Sequence, residues 1–296
     1  MCRCVFLQQD DFPRIVQTFD EAFADYYIKR KTSCASWLAP RCVKNGVDLE
    51  CSVAALDSER MVGITLVGLD MWQGQSAAFD AATGIIPDYR GRGLARRMFD
   101  FALPRLKERG VQKFVLEVLQ VNEPAIKAYQ RTGFAITREF DCFELKIADN
   151  RAERRTPASL EIRRIGVEQV LPFIEHAEWI PSWENAFSSI HRASADIMAF
   201  GAFVENICAG EIVYFPPLNW IVSLVVHREY RRRGIATALI DHLLQYLPSD
   251  RDSLRVTNVD CTDVGMTAFF PARGFTSFAR QYEMELDLYV CCVGLN

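Results

Sequence analysis

Apolar side chains recur along this chain with two alternating rhythms. Phe12, Ile15, Val16, Phe19, Ala22 and Phe23 follow a helical period, which predicts an amphipathic helix behind a short strand over 3–8. "RMVGITLVGL" (60–69) and residues 79–86 are near-continuous apolar runs separated by Trp72-Gln73-Gly74-Gln75, and they predict a hairpin. A long helix follows, with Leu94, Met98, Phe101 and Ala102 on its core face. Next come the strand "KFVLEVL" (113–119), a short helix ending at Gly133-Phe134, and a final strand.

The same order then returns. A strand over 160–165 leads to a helix begun by Val170, Leu171, Phe173 and Ile174. "NICAGEIVYF" (206–215) turns tightly at Pro216-Pro217-Leu218-Asn219 into the strand 220–227. Ile235, Leu239, Leu243 and Leu247 mark the long helix, and "SLRVTNV" (253–259) the next strand. Motifs fall in register as well. "YRGRGLA" (89–95) lies over "YRRRGIA" (230–236), so Arg90 matches Arg231 at an offset of 141 residues. "AYQRTGF" (128–134) lies over "FFPARGF" (269–275), and Gly133 matches Gly274 at the same 141. Two separated motifs at one offset identify a duplication. Gly63 matches Gly210 at 147, so the first copy carries extra residues near its hairpin. The polar stretch "ADNRAERRTPAS" separates the copies, giving units at 1–147 and 160–296 with a linker over 148–159. Strands and helices mixed in this order predict α/β layers around a largely β sheet, an α+β mixed-sheet class.

Composition narrows the functions. A chain of 296 residues that is 50% hydrophobic and 24% charged is globular and long enough for two cores. With a net charge of −4 and no broad basic surface, nucleic acid is not an expected partner. No apolar run suits a bilayer, and "MCRCVFLQQDDFPRI" does not read as an export signal, so a cytoplasmic, membrane-free protein is expected. The ten cysteines have no histidine at metal-ligand spacing. They are expected to be reduced, mostly buried thiols, with no metal. The oligomeric state is not legible.

Against that acidic background, Arg90, Arg92, Arg96 and Arg97 crowd into "YRGRGLARR". A strand ending in a glycine-bearing loop that opens a helix presents free backbone N–H groups, and the helix dipole adds positive potential there. Such a loop suits a pyrophosphate, held by the amides of Arg92 to Ala95 with arginines around it. Neither G-x-x-x-x-G-K-[ST] nor G-x-G-x-x-G is present, so this is neither a Walker loop nor a dinucleotide fingerprint.

The pattern Arg-x-x-Gly-x-Ala (Arg90, Gly93, Ala95; Arg231, Gly234, Ala236) resembles the acyl-CoA loop of the GNAT N-acetyltransferases. The preceding I-x-P-x-Y (Ile85, Pro87, Tyr89) and "NEPAIKAYQRTGF" (122–134) extend the resemblance to two GNAT-like units in tandem. It implies acetyl transfer from acetyl-CoA to a small-molecule or peptide amine. It also implies cofactor contacts at Thr83, Gly84, Ile85, Arg90, Gly91, Arg92, Gly93, Leu94, Ala95 and Asn122. Tyr129 matches the family's general acid, which protonates the CoA thiolate; packing on the core is its alternative reading. For the base, Asp80 and Glu117 are candidates, with Asp80 preferred, and either could instead be a structural carboxylate. Asn122 also suits a helix N-cap. In the second copy Phe270 replaces the tyrosine, Asp263 replaces the asparagine, and Pro271 is expected to interrupt the short helix. Its loop, Arg231, Arg232, Arg233, Gly234, Ile235 and Ala236, remains a second candidate CoA site, while its unit is expected to be degenerate and to shape the acceptor site. The rival readings are a non-catalytic acyl-CoA sensor or scaffold, and an aminoacyl- or long-chain acyltransferase.

Overall fold

The structure, a computed structural model, describes residues 2–28, 34–147 and 160–289. The linker at 148–159, Cys291 and Cys292 lie outside the described residues. The first repeat runs β1 (Arg3–Phe6), α1 (Phe12–Ala22), α2 (Cys34–Lys44), β2 (Val53–Asp57), β3 (Arg60–Trp72), β4 (Gln75–Ile85), α3 (Leu94–Glu108), β5 (Lys113–Leu119), α4 (Glu123–Thr132) and β6 (Ala135–Lys146). The second runs β7 (Glu161–Arg164), α5 (Phe187–Arg192), β8 (Met198–Val204), β9 (Ile207–Phe215), β10 (Trp220–Val226), α6 (Ile235–Tyr246), β11 (Ser253–Asp260), α7 (Val264–Ala272) and β12 (Thr276–Asp287).

Two compact units form, one of residues 1–138 with 282–296, the other of residues 139–281. The sequence repeats and these units differ in their last strands: β6 enters the second unit at Glu139, and β12 enters the first at Tyr282. In the first unit the strands run β1-β2-β3-β4-β5-β12, and in the second β6-β11-β10-β9-β8-β7. The exchange leaves no trace in the hydrophobic pattern, because each final strand alternates alike whichever sheet it joins.

In the first unit α3 packs Leu94, Met98, Phe99 and Ala102 into the core. Phe101, expected there, is 38% exposed and lies tilted against Phe6, ring centroids 4.7 Å apart; the helical phase gives the interior to Phe99. In the second unit α6 buries Ile235, Leu239 and Leu243, while Leu247 is half-buried beyond its end. The helix expected from Val170 to Ile174 is a short 3₁₀ segment, Leu171–His176. It buries Phe173 and leaves Leu171 and Ile174 exposed.

The hairpins reverse the expected contrast. Trp72 pairs with Gln75 across a two-residue turn, with Gln73 (φ 49°) and Gly74 (φ 80°) both left-handed, as a tight primed turn requires. Phe215 pairs with Trp220 across the longer Pro216–Asn219 turn. The extra residues of the first copy therefore lengthen β3 and β4 rather than a loop. Pro271 does not interrupt α7, whose last turn runs on to Ala272. Of the seven described free cysteines only Cys51 and Cys142 are buried, so the thiols are less buried than expected. No described helix is long and apolar enough to cross a membrane.

Candidate active site

In both units the strand that precedes the Arg/Gly loop parts from its parallel neighbour. β4 and β5 pair only from Ala77–Lys113 to Asp80–Leu116. A bulge follows directly on β4, between its partners Leu66 and Val67 on β3. Beyond Asp80 the β5-facing edge of β4 therefore has no strand partner. β10 and β11 pair only at Trp220–Arg255 and Ile221–Val256, again followed by a bulge. Each parting opens a cleft floored by backbone groups.

The loop after β4 is set by two left-handed glycines, Gly91 (φ 74°) and Gly93 (φ 72°), with Gly93 at the N-cap of α3. A Cβ on either would meet nothing within 4 Å, so open space lies before them. Among the described residues no hydrogen bond is donated by the amides of Gly91 to Arg96; the first from α3 is Arg97 N to Gly93 O at 3.1 Å. The second loop repeats this conformation, with Gly234 at φ 79° and Arg232 at φ 62° where the first has Gly91. A left-handed arginine is strained by about 1–2 kcal/mol, so the loop shape persists against a residue that resists it. Both loops present unused N–H groups at a helix start, an arrangement that suits an anion.

The arginines are mostly occupied with the loop's own architecture. Arg90 forms a fork with both Asp25 oxygens at 2.7 Å and donates to the carbonyls of Ala22 (2.8 Å) and Ile85 (3.1 Å). It ties the end of α1 to the end of β4. Arg231 does the same in its unit, binding Glu178 and the carbonyls of His176 and Val226. Arg92 donates to Asp88 O and lies over the Tyr89 ring at 4.9 Å, Arg96 pairs with Asp100, and Arg97 donates to Cys2 O. Charge at the loop is thus delivered chiefly through backbone amides. Leu94 is buried under α3 and Ala95 half-buried beside it.

Three expected residues converge in the first cleft. Tyr129, on α4, donates its hydroxyl to Asp80 Oδ2 at 3.2 Å, and Thr83 donates to Asp80 Oδ1 at 2.9 Å. Thr83 and Thr65 hydroxyls lie 3.0 Å apart, extending the chain to β3. Burial pushes the Asp80 carboxyl up to about 7, against hydrogen bonds from Thr83 and Tyr129 and the Arg41 charge. Burial, then the Asp80 charge, holds the Tyr129 hydroxyl well above its ordinary value. Phe99 (5.8 Å) and Phe134 (5.9 Å) fix the Tyr129 ring edge-on. Asn122 caps α4, accepting from Ala125 N at 3.4 Å, and its side chain also bonds the Tyr26 hydroxyl.

Glu117 is not part of this group. It follows Leu116, the residue paired with Asp80, and strand alternation turns it to the opposite face. Gly84 is required by packing: a Cβ there would lie 2.6 Å from the Phe23 ring and 3.0 Å from Ala22. Trp37 lies in α2, where Phe19 contacts it at 5.5 Å. Arg41, one turn on, covers its ring at 5.2 Å and donates to Ala81 O at the bulge (2.8 Å). Arg41 and Asp25 carried no spacing signal, because both act only through tertiary contacts.

In the second unit Phe270 occupies the tyrosine's place, fully buried against Phe143 (5.6 Å) and Phe275 (5.1 Å). Asp263 caps α7 through Met266 N at 2.9 Å.

Two repeats of strand, amide-rich loop, helix and parted strand define a tandem α/β architecture. A solved tandem GNAT protein from the clavulanic acid biosynthesis pathway has the same fold: TM-score 0.75, 16% identity, 98% of this chain and 100% of that one. A GCN5-related N-acetyltransferase from Sphaerobacter thermophilus matches at TM-score 0.74 over 97% and 96% of the chains, with 16% identity. The family model described as "Acetyltransferase (GNAT) family" matches residues 16–134 and again 165–275, and the chain belongs to that family. N-alpha-acetyltransferase 30 of Schizosaccharomyces pombe is 36% identical over 86 residues, spanning 29% of this chain and 57% of that protein. A mycothiol acetyltransferase of Corynebacterium aurimucosum is 46% identical over 56 residues, 19% of this chain and 18% of its own length.

Proposed function

We propose that the chain is an acetyl-CoA-dependent N-acetyltransferase whose chemistry belongs to the first unit. The observation that carries this reading is the hydrogen bond between Tyr129 and Asp80 inside the parted strands, beside a loop with unused amides. Acetyl-CoA supplies the thioester and leaves as a thiol. The amides of Gly91 to Arg96 take its pyrophosphate, and the open edge of β4 at Thr83, Gly84 and Ile85 aligns the acyl arm. The acceptor nitrogen bonds the acetyl carbon as the C–S bond breaks. Tyr129 gives its proton to the departing sulfur, Asp80 takes the proton shed by the amine, and the shared hydrogen bond returns it to Tyr129. Atoms and charge then balance, with an amide and CoASH as products.

The names of the matched relatives include a ribosomal-protein alanine N-acetyltransferase and a streptothricin acetyltransferase, which supports an amine acceptor in general and no single one. A sensor has no use for a buried phenol kept protonated over a carboxylate that titrates near neutrality. The second loop, Arg231 to Ala236, has the amides to hold a second acyl-CoA, but Phe270 offers no proton to a thiolate. Thiol release from acetyl-CoA, measured against amines, aminoglycosides, amino acids and peptides, tests the reading. Absence of release with every amine class, alongside acetyl-CoA binding, would replace it with the sensor.

A further inference from the structure

Behind the Tyr129–Asp80 pair, two threonine hydroxyls reach the other oxygen of the carboxyl. Thr83 Oγ1 lies 2.9 Å from Asp80 Oδ1, and Thr65 Oγ1 lies 3.0 Å from Thr83 Oγ1. The bulge in β4 makes this possible. Thr65 pairs with Thr83 and Leu66 with Ala82, but Val67 pairs with Asp80, so Ala81 is the extra residue. Side chains three apart on a regular strand face opposite ways, and the extra residue turns Asp80 and Thr83 to one face. Thr65 is fully buried and Asp80 is 6% exposed, so bulk water does not compete for these contacts.

The protons of this chain run one way. A threonine hydroxyl carries one proton, and an ionised carboxylate can only accept. Thr83 therefore gives its proton to Asp80 Oδ1, and the Thr65–Thr83 contact uses the proton of Thr65. The other polar neighbour of Thr65 is Met98 Sδ at 3.9 Å, a weak acceptor. Tyr129 donates to Oδ2. Arg41 of α2 and Tyr26, beyond the end of α1, also lie within electrostatic reach of the carboxyl. Thr83, Tyr129 and the Arg41 charge all favour its ionised form against burial.

The second copy lacks the whole chain. At the offset of 141 residues Ile221 stands for Asp80, Leu224 for Thr83 and Phe270 for Tyr129, and at 147 Ile212 stands for Thr65. The strand register agrees, since Ile212 pairs with Leu224 as Thr65 does with Thr83. All four replacements belong to one hydrophobic cluster of the second unit. These strands therefore fold with an apolar pair at the two positions, and the architecture does not require the threonines.

On the reading that acetyl transfer takes place in the first unit, we propose that Thr83, with Thr65 behind it, is a positioning residue that holds Asp80 Oδ1 and leaves Oδ2 to exchange protons with Tyr129 and the acceptor amine. Without Thr83 the carboxyl is free to rotate, and its ionised form loses a donor that nothing buried replaces.

The Asp80 carboxyl, titrated by carbon-13 NMR in aspartate-labelled protein and assigned by its loss in Asp80→Asn, tests this without any substrate. Thr83→Val should raise the midpoint by about one pH unit, since a donor to the charged form is gone. Thr83→Ser restores the hydroxyl and should return it. Thr65→Val should raise it less, and should add nothing once Thr83 is valine, because Thr65 acts through Thr83. Thiol release from acetyl-CoA with the most active of the amines named above reads the same change in turnover. In Thr83→Val the acidic limb of kcat should move up equally, so kcat falls about tenfold below the limb and little above it. A threonine that only fills space would leave midpoint and limb unmoved. An unmoved midpoint in Thr83→Val, or a Thr83→Ser protein that behaves like the valine, overturns the proposal. A Thr65→Val shift that persists beside Thr83→Val overturns the part given to Thr65. A shifted midpoint with no thiol release from any amine would instead overturn acetyl transfer and leave the hold of Thr83 on Asp80 standing.

Discussion

Tyr129 and Asp80, 49 positions apart, share a hydrogen bond of 3.2 Å in a buried cleft. The two groups expected to give and take protons are therefore one titrating pair. Desolvation raises both, which keeps the phenol protonated and brings the carboxyl near neutrality. In the proposed reaction, coupling of this kind would let one proton leave toward sulfur while another arrives from nitrogen.

Tyr129→Phe should lower kcat by about 10²–10⁴-fold, the usual worth of a general acid. The ring contacts to Phe99 and Phe134 survive, so acetyl-CoA affinity and melting temperature should change little. Single-turnover acetyl transfer beside calorimetric CoA binding makes the comparison. An unchanged kcat would return Tyr129 to a packing role.

The pH profile should carry an acidic limb set by Asp80, whose carboxyl is raised to about 7. Activity should rise as pH passes through that region, because only the ionised form accepts a proton. Tyr129 lies well above its ordinary range, so it should produce no alkaline limb below pH of about 10. Asp80→Asn should remove the acidic limb and most of the rate. A limb that persists in that variant would assign the base elsewhere.

Much of this was legible before any coordinates, and the reasons are local. Gly93 and Gly234 announce their loops because a left-handed N-cap strongly favours glycine, and the duplicated spacing of the motifs fixed the element order. Asn122 was readable as a cap for the same local reason. The Asp80–Tyr129 contact was not readable, since it depends on how α4 lies over β4. Arg90 read as a ligand group, yet its fork is spent on Asp25 and two carbonyls, contacts 65 residues or more distant for the ion pair and α1. The exchange of β6 and β12 was hidden because strand pattern encodes faces and not neighbours. Gly84 read as a cofactor contact, and the packing of the Phe23 ring over its missing side chain gave no sign in the sequence.

Gly84→Ala should therefore destabilise the first unit by about 1–3 kcal/mol, the cost of overpacking a fitted site. The new methyl meets the Phe23 ring and Ala22, and β4 or α1 must shift. Denaturant unfolding reads the change. Because the same contact positions the end of β4, kcat should fall together with stability. Phe23→Leu, by vacating part of the ring, should restore some of both in the double variant.

Stability should also depend on pH through Glu211, whose carboxyl burial raises from 4.5 to about 8. Its folded-state value lies above its unfolded one, so between those values the native chain holds a proton that the unfolded chain has released. Stability then falls as pH rises from about 4.5 to 8 and levels off beyond. Asp80 adds a decline of the same sign, ending near 7. Glu211→Gln should flatten the decline and leave the Asp80 part. Thermal melts from pH 5 to 9 test this, and an unaltered slope in Glu211→Gln would contradict it.

The strongest division between the two loops comes from placing a charge in each. Gly93 faces open space at φ 72°, so Gly93→Asp adds backbone strain of about 1–2 kcal/mol and a carboxylate at the start of α3, without a clash. Gly93→Asn adds comparable strain and bulk but no charge. If the amides of Gly91 to Arg96 take pyrophosphate, the aspartate should weaken acetyl-CoA binding at the first site at least tenfold more than the asparagine does. Turnover at subsaturating acetyl-CoA should fall by the same ratio. Gly234→Asp makes the matching change at φ 79° in the second loop, whose unit has Phe270 where the first has Tyr129. It should leave kcat at saturating acceptor within about twofold, whatever it does to a second CoA site. The same strain enters both loops, so a difference between the two aspartates measures chemistry and not folding. A dead Gly234→Asp beside an active Gly93→Asp would move the reaction to the second unit and leave Tyr129 without its role.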